Sequence, residues 1–109
     1  MDSKEVLKEY FGYDSFRAGQ EDIINAILEK KDVLAIMPTG AGKSLCYQVP
    51  AMMLSGITVV ISPLISLMQD QVKSLNDVGI NAAYVNSTLS ESEIDGTLNM
   101  VLNGIYKII

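Results

Sequence analysis

Short apolar runs alternate with segments of helical periodicity along this chain. Residues 33–37 form a continuous apolar run, a second run covers 57–62, and weaker runs follow at 81–85 and 105–109. A continuous apolar run is typical of a strand that is buried on both faces, and strands that alternate with helices favour a parallel sheet. The order ααβαβαβαβ therefore predicts an α/β fold, with a parallel sheet that carries helices on both of its faces.

The two helices that precede the first run are marked by capping residues and by apolar spacing. Asp2 and Glu5 pair at the start of the first helix, and Gly12 is placed to end it. Apolar residues over 23–28 repeat at helical spacing and predict a second helix. A third helix is predicted from Lys43 to about residue 54.

The later helices carry similar signals. Ser62 and Pro63 are good residues for the N-cap and first turn of a helix that Gly79 closes. Ser90 and Glu93 match a capping box, which predicts one more helix that ends near residues 103–104.

Composition excludes several classes of protein. With 109 residues the chain has room for one domain, and 49% apolar against 19% charged residues is enough to build a core. Eight Lys and Arg against 13 Asp and Glu give a net charge of −5, which argues against a free-standing module that grips nucleic acid through its own positive field. With no His and only Cys46, a Cys/His zinc site, an internal disulfide and a His-based triad are excluded.

The apolar runs are also far shorter than the roughly 20 residues that cross a bilayer. The N-terminus shows no basic start followed by an apolar stretch, which is the pattern of a secretory signal. We therefore expect no membrane association and a reducing, cytoplasmic setting.

The segment MPTGAGKS, residues 37–44, lies between the first apolar run and a helix. A phosphate-binding loop requires this context, because glycines let main-chain N–H groups point inward and the helix adds its positive end. The Lys43 ammonium would reach the β- and γ-phosphates, and the Ser44 hydroxyl would ligate Mg²⁺. Met37 stands where the strict motif has a Gly. A Gly-rich turn followed by a surface Lys is the alternative interpretation.

A second candidate site lies upstream of this loop. Tyr13, Arg17 and Gln20 occur within the string GYDSFRAGQ. A Gln amide can donate to and accept from an adenine edge, while Tyr or Arg can stack on the face of the base. These residues therefore predict a purine-binding site, and the alternative is a polar helix start beside a partly buried Tyr.

Four stretches of the chain together resemble consecutive motifs of RecQ-type ATP-dependent DNA helicases. They are FGY at 11–13, FRAGQ at 16–20, MPTGAGKSLCYQ at 37–48 and VISPLISLMQDQ at 60–71. The likeness spans essentially the whole chain. It implies a superfamily 2 helicase of the P-loop, RecA-like fold, which moves 3′ to 5′ along DNA and acts in repair or recombination.

The resemblance also implies roles for individual residues. Tyr13, Arg17 and Gln20 match the family's adenine-recognising motif, and its phosphate loop, motif I, is matched by Thr39, Gly40, Ala41, Gly42, Lys43 and Ser44. ATP and Mg²⁺ are the implied cofactors, and Lys43 is the implied catalytic residue. For a bacterial protein of this family, the cytosol or nucleoid is the expected location.

The tract from residue 62 to 71 resembles motif Ia, which lies on the DNA-facing side of the lobe. In an open parallel sheet, the turns after 33–37 and 57–62 share the edge at the carboxyl ends of the strands. The N–H groups near Ser62, Pro63 and Leu64 would bind a DNA phosphate there, joined by Asn86 and Ser87. Simple helix capping is the alternative for both tracts.

Residues 1–109 thus match only the N-terminal part of the first ATP-binding lobe. The family's Asp-Glu-Ala-His box and its second lobe are not matched, so we expect the chain alone to bind nucleotide without hydrolysing it. We also expect exposed strand edges to make it self-associate. Two alternatives stay open, namely a non-catalytic nucleotide-binding or interaction module that ends at Ile109, and a small-molecule kinase.

Overall fold

Five helices form the regular structure of the computed structural model, which describes residues 2–37 and 42–109. They are α1 (Ser3–Phe11), α2 (Gln20–Leu28), α3 (Leu45–Met53), α4 (Ile65–Asp77) and α5 (Glu91–Leu102). The chain divides into two compact units, Met1–Ser55 and Gly56–Ile109. The first unit therefore holds α1 to α3, and the second holds α4 and α5.

The first unit is built around a small apolar core. Val6 and Leu7 of α1, Ile24 of α2 and Val49 of α3 are buried against one another. Helices α1 and α2 both pack against α3, and the apolar face predicted at residues 23–28 supplies the contribution of α2. The three helices thus share one core, and α3, which follows the Gly-rich loop, is part of it.

The predicted boundaries of α1 are confirmed. The Asp2 carboxylate accepts a hydrogen bond from the Glu5 N–H at 2.9 Å, and this bond caps the helix. Gly12 follows Phe11 with φ at 75°, a left-handed conformation that favours Gly.

The second unit is organised by Ile108, which is buried between two other extended segments. Ile108 makes parallel bridges with Thr58 on one side and with Ala82 on the other. The Ile109 N–H donates to the Thr58 carbonyl at 3.0 Å, and the Ala83 N–H donates to the Ile108 carbonyl at 3.2 Å. The parallel direction agrees with the sequence prediction.

The predicted strands themselves are not formed in the described residues. The segments at 57–62, 81–85 and 105–109 meet only at isolated bridges, and 33–37 makes no main-chain hydrogen bond to any other described residue. Leu34 and Ile36 are each 90% exposed, which contradicts the prediction of a strand that is buried on both faces. The apolar pattern encodes burial, but a parallel strand becomes buried only when neighbouring strands and covering helices are in place.

The predicted start of α4 is also corrected. Helix α4 begins at Ile65 with Leu64 as its N-cap, so Ser62 and Pro63 precede the helix rather than open it. The Ser62 hydroxyl accepts a hydrogen bond from the Leu64 N–H at 3.2 Å, a local turn that competes with capping.

The capping box of α5 is confirmed in both directions. The Ser90 hydroxyl accepts from the Glu93 N–H at 3.2 Å, and the Glu93 carboxylate accepts from the Ser90 N–H at 3.1 Å. The bonds from Ser90 favour the ionised carboxylate and lower the pKa of Glu93 below its usual value. Across the part of the chain that the structure describes, no helix is long and apolar enough to cross a membrane.

A side-chain amide protects the outer edge of the segment that contains Ala82. The Asn76 Nδ2 donates to the Ala82 carbonyl at 3.2 Å, and the Asn76 Oδ1 accepts from the Ala82 N–H at 3.0 Å. Ala82 directs these two groups away from Ile108, so Asn76 occupies the place that a further strand would take.

We predict that Asn76→Ala destabilises the chain by roughly 1–2 kcal/mol, because both main-chain groups of Ala82 lose their partners. Denaturant unfolding measures the difference. Lys73→Ala is the control on the same helix, because its exposed ion pair with Asp77 contributes little. Equal stability of the two variants would contradict the role given to Asn76.

Candidate functional site

Helix α3 begins directly after the Gly-rich loop, as the sequence predicts. Ser44 is its N-cap residue and the exposed Lys43 precedes it. The first turn of α3 contains no acidic residue, so no carboxylate there offsets the positive end of the helix dipole. This end of α3 is therefore suited to an anion.

Three of the residues predicted to bind the triphosphate, Thr39, Gly40 and Ala41, lie outside the described residues. The described residues on either side of them are Met37 and Gly42. For the predicted loop, the structure therefore shows the positions of Met37 and Gly42 and of the residues from Lys43 onward.

Gln20 makes the central contact of this region. It is the first residue of α2 and is only 1% exposed. Its Oε1 accepts from the Arg17 N–H at 2.8 Å, and its Nε2 donates to the Gly42 carbonyl at 3.0 Å. The amide thus links the string upstream of the loop to Gly42, within the loop.

The backbone conformation of Gly42 and its lack of a side chain allow this amide to approach closely. Its φ is 79°, a conformation that side chains rarely adopt, and a Cβ built at this position would collide with the Gln20 amide nitrogen. The close approach of Gln20 therefore requires Gly at position 42. Both residues lie in motifs that the sequence analysis identified. Their contact joins positions 22 residues apart, so no local sequence pattern predicts it.

The structure brings together only part of the predicted base site. Arg17 lines a cleft of about 310 Å³. The other residues that line it are Lys4, Ser15, Phe16, Ala18, Gly19, Glu21 and Asp22. Tyr13 is not among them and is 51% exposed, so it is not the partly buried Tyr of the alternative interpretation.

The candidate DNA-binding residues lie within the second unit. The Asn86 Nδ2 contacts the Met68 sulfur at 3.8 Å, and the Met68 N–H donates to the Leu64 carbonyl at 3.1 Å. These contacts place Asn86 beside the first turn of α4. The Asn86 Oδ1 also accepts from the Thr88 N–H at 2.9 Å, so it stabilises its own turn. Pro63 and Ser87 are exposed.

Acidic residues do not assemble a metal site on their own. Over residues 2–37 and 42–109, no group of three His, Cys, Asp or Glu side chains could hold a metal ion. Ser44, at the start of α3, is the hydroxyl that the sequence predicts for Mg²⁺.

Sequence comparison identifies the family of this chain. The sequence profile of the DEAD/DEAH box helicase family matches residues 17–109. The chain therefore belongs to the DEAD/DEAH box helicase family, and membership places it in the RecA-like P-loop fold.

Comparison with individual relatives shows which helicases of this family the chain resembles. The chain is 53% identical over 107 residues to the ATP-dependent DNA helicase RecQ of Bacillus subtilis, a match that covers 97% of the chain and 18% of the relative. It is 51% identical over 104 residues to RecQ of Haemophilus influenzae, covering 95% of the chain and 17% of the relative. The ATP-dependent DNA helicase Q-like 5 of Arabidopsis thaliana is 47% identical over 104 residues, covering 95% of the chain and 11% of the relative.

These matches confirm the resemblance to RecQ-type helicases that the motifs predict. The chain spans less than one fifth of the length of the curated relatives that it matches. The similarity therefore concerns one segment of each of these longer relatives.

We predict that Gln20→Ala destabilises the chain by roughly 1–3 kcal/mol, because the Arg17 N–H and the Gly42 carbonyl lose a buried partner. Denaturant unfolding, followed by a probe of the first unit, measures this loss. Gln69→Ala, at an exposed position of α4, is the matched control and leaves stability within about 0.5 kcal/mol. A Gln20→Ala chain as stable as the control would show that the buried amide does not hold the loop.

Proposed function

We propose that residues 1–109 are the N-terminal portion of the first ATP-binding lobe of an ATP-dependent DNA helicase. The parent protein couples ATP hydrolysis to 3′ to 5′ unwinding of DNA in repair or recombination. The observation that carries this proposal is the bond from Gln20 to Gly42, because it joins the base-reading string to the phosphate loop in a member of a helicase family. The chain alone binds nucleotide without turning it over.

The triphosphate is held at the start of α3. The fit of the site rests on the left-handed Gly42, which no side chain can replace, and on a helix start free of acidic residues. Lys43 binds the β- and γ-phosphates, while the main chain of Thr39, Gly40 and Ala41 completes the loop. Ser44 holds Mg²⁺, which when bound neutralises developing charge on the phosphates.

The base is read by the string upstream of the loop. A Gln amide carries two N–H donors and two acceptor lone pairs, and the bonds to Arg17 and Gly42 use one of each. Gln20 therefore keeps one donor and one acceptor for an adenine edge, and because the residue is only 1% exposed, neighbouring groups must move to let a base reach them. Tyr13 and Arg17 supply stacking on the face of the base.

DNA is bound by the second unit at the start of α4. The first turn of α4 contains no acidic residue, which suits a phosphate contact near Ser62, Pro63 and Leu64. Asn86 and Ser87 extend this surface, since Asn86 contacts Met68 of the same helix. The parallel bridges at Ile108 support a parallel sheet, with helices on both faces, as the framework of the lobe.

We predict that Lys43→Ala abolishes DNA-stimulated ATP hydrolysis by the intact parent protein. The reason is that charge neutralisation and positioning at the γ-phosphate supply most of the catalysis. Phosphate release, with and without single-stranded DNA, is the measurement. Lys73→Ala is the control, because this Lys lies on α4 and pairs with Asp77 at the surface.

Wild-type turnover by the Lys43→Ala protein would remove the assignment of this loop. A second readout isolates the base site, because the unmutated parent is expected to prefer ATP to GTP. Equal use of both nucleotides would remove the adenine-reading role while leaving the phosphate site intact.

We further propose that the chain pairs with a second copy of itself through an uncovered edge of an extended segment. Asn76 covers the edge at Ala82, whereas Val59 makes no main-chain hydrogen bond in the part of the chain that the structure describes. Val59 is 67% and Ile61 is 93% exposed. An apolar edge of this kind is a template for strand pairing.

We predict that the 109-residue chain shows a concentration-dependent increase in mass in sedimentation, and that Ile61→Lys reduces it by placing a charge at the edge. Leu102→Lys is the matched control, because Leu102 is 84% exposed and belongs to α5 rather than to the extended segment at 57–61. A monomer at all concentrations, or equal loss in both variants, would contradict pairing through residues 57–61.

A further inference from the structure

The second unit is poor in positive charge, and both of its cations already have an acceptor. Residues 56–109 contain two Lys, no Arg and five Asp or Glu, which gives a net charge of −3. The Lys73 ammonium donates to the Asp77 carboxylate at 3.0 Å, and the Lys107 ammonium donates to the Gly56 carbonyl at 2.9 Å. Uncharged hydrogen-bond donors therefore have to supply any contact of this unit with a DNA phosphate.

Asn86 spends most of its hydrogen-bonding capacity on the turn over residues 86–89. Its main-chain carbonyl accepts from the Leu89 N–H at 3.2 Å, and its Oδ1 accepts from both the N–H and the hydroxyl of Thr88. Two lone pairs are all that a carbonyl oxygen offers, so the Oδ1 is fully used. The Nδ2 contacts the Met68 sulfur at 3.8 Å, and the amide is thus held at both ends.

Ser87 is the residue of this turn whose donors are left over. The N–H groups of Thr88 and Leu89 both point back to Asn86. The N–H and the hydroxyl of Ser87, in contrast, donate no hydrogen bond within the part of the chain that the structure describes, and Ser87 is exposed. Main-chain N–H groups and Ser hydroxyls are among the groups that proteins use to contact DNA phosphates.

We propose that Ser87 contacts a DNA phosphate through its N–H and hydroxyl, and that Asn86 is the positioning residue that holds the turn for this contact. Both roles rest on the proposed function, in which the second unit binds DNA. They separate two residues that the sequence resemblance treats alike. The competing donor is the N–H of the Asn86 Nδ2 that does not face Met68, and the experiment distinguishes the two.

The test measures the affinity of the intact parent protein for a labelled single-stranded oligonucleotide over a series of salt concentrations. Ser87→Ala is expected to weaken binding roughly two- to tenfold, as for the loss of one neutral hydrogen bond. The factor is the same at every salt concentration, because a neutral donor releases no counterions and the slope of log affinity against log salt stays unchanged. Ser74→Ala is the matched control, since it removes an exposed hydroxyl from a later turn of α4.

A double-mutant cycle tests whether Asn86 acts through Ser87. Asn86→Ala is expected to weaken binding, and adding Ser87→Ala to it then costs much less than Ser87→Ala costs in the unmutated protein. Asn86→Ser recovers part of the affinity, because a Ser hydroxyl can accept from the N–H two residues further on. In the 109-residue chain, hydrogen exchange of the Thr88 N–H is faster in Asn86→Ala and unchanged in Ser87→Ala.

Each part of the proposal has an outcome that overturns it. Unchanged affinity in Ser87→Ala would remove the contact, and a smaller salt slope in that variant would show that the contact is not a neutral one. Losses that multiply in the double variant, or Thr88 exchange that Asn86→Ala does not alter, would remove the positioning role. An unmutated parent that binds no single-stranded DNA at any salt concentration would instead overturn the proposed function, and both roles with it.

Discussion

The bond from the Gln20 amide to the Gly42 carbonyl is the contact on which the candidate nucleotide site depends. The amide is buried, and each of its ends meets a main-chain group that would otherwise lose a partner. A buried polar group without a partner costs more than the bond itself contributes, so the arrangement resists small displacements. The string upstream of the loop and Gly42 are thereby joined inside one three-helix unit.

The second unit is held together differently, because one residue of an extended segment, Ile108, pairs with an extended segment on each side. Ile108 is buried between Thr58 and Ala82, and both pairings are parallel. The segments that contain Ala82 and Thr58 form the two outer edges of this group. The Asn76 side chain makes hydrogen bonds to the main chain of Ala82 at one edge, whereas at the other edge Val59 makes no main-chain hydrogen bond to a described residue and its side chain is exposed. Parallel pairing is slightly less stable per residue than antiparallel pairing, and parallel sheets normally have both faces covered, which agrees with isolated bridges in place of strands here.

Local signals in the sequence predicted local structure well. The Asp2 cap, the left-handed Gly12 and the capping box of Ser90 and Glu93 each involve residues that are within a few positions of one another. Ser62 failed as a predicted cap because its hydroxyl made an equally local bond to the Leu64 N–H. The sequence pattern ranks such alternatives poorly, since capping and a short turn use the same chemistry.

Non-local features could not be read in the same way. The apolar pattern at 33–37 records the burial that a complete parallel sheet would give, yet Leu34 and Ile36 are exposed in this chain. The roles of Gln20 and Gly42 were assigned from motifs as two separate contacts to nucleotide. Their contact with each other depends on how α2 packs against α3, which no window of sequence contains.

The carbonyl of Gly42 is the point at which these contacts converge. It accepts a hydrogen bond from the Gln20 Nε2 at 3.0 Å and lies 3.9 Å from the Cys46 sulfur, so one oxygen contacts two different side chains. A shift of Gly42 must alter both contacts, because the residue has no side chain through which to compensate. Cys46 in turn lies 3.9 Å from the Met37 sulfur, so the same side chain contacts a residue on each side of the positions that the structure leaves undescribed.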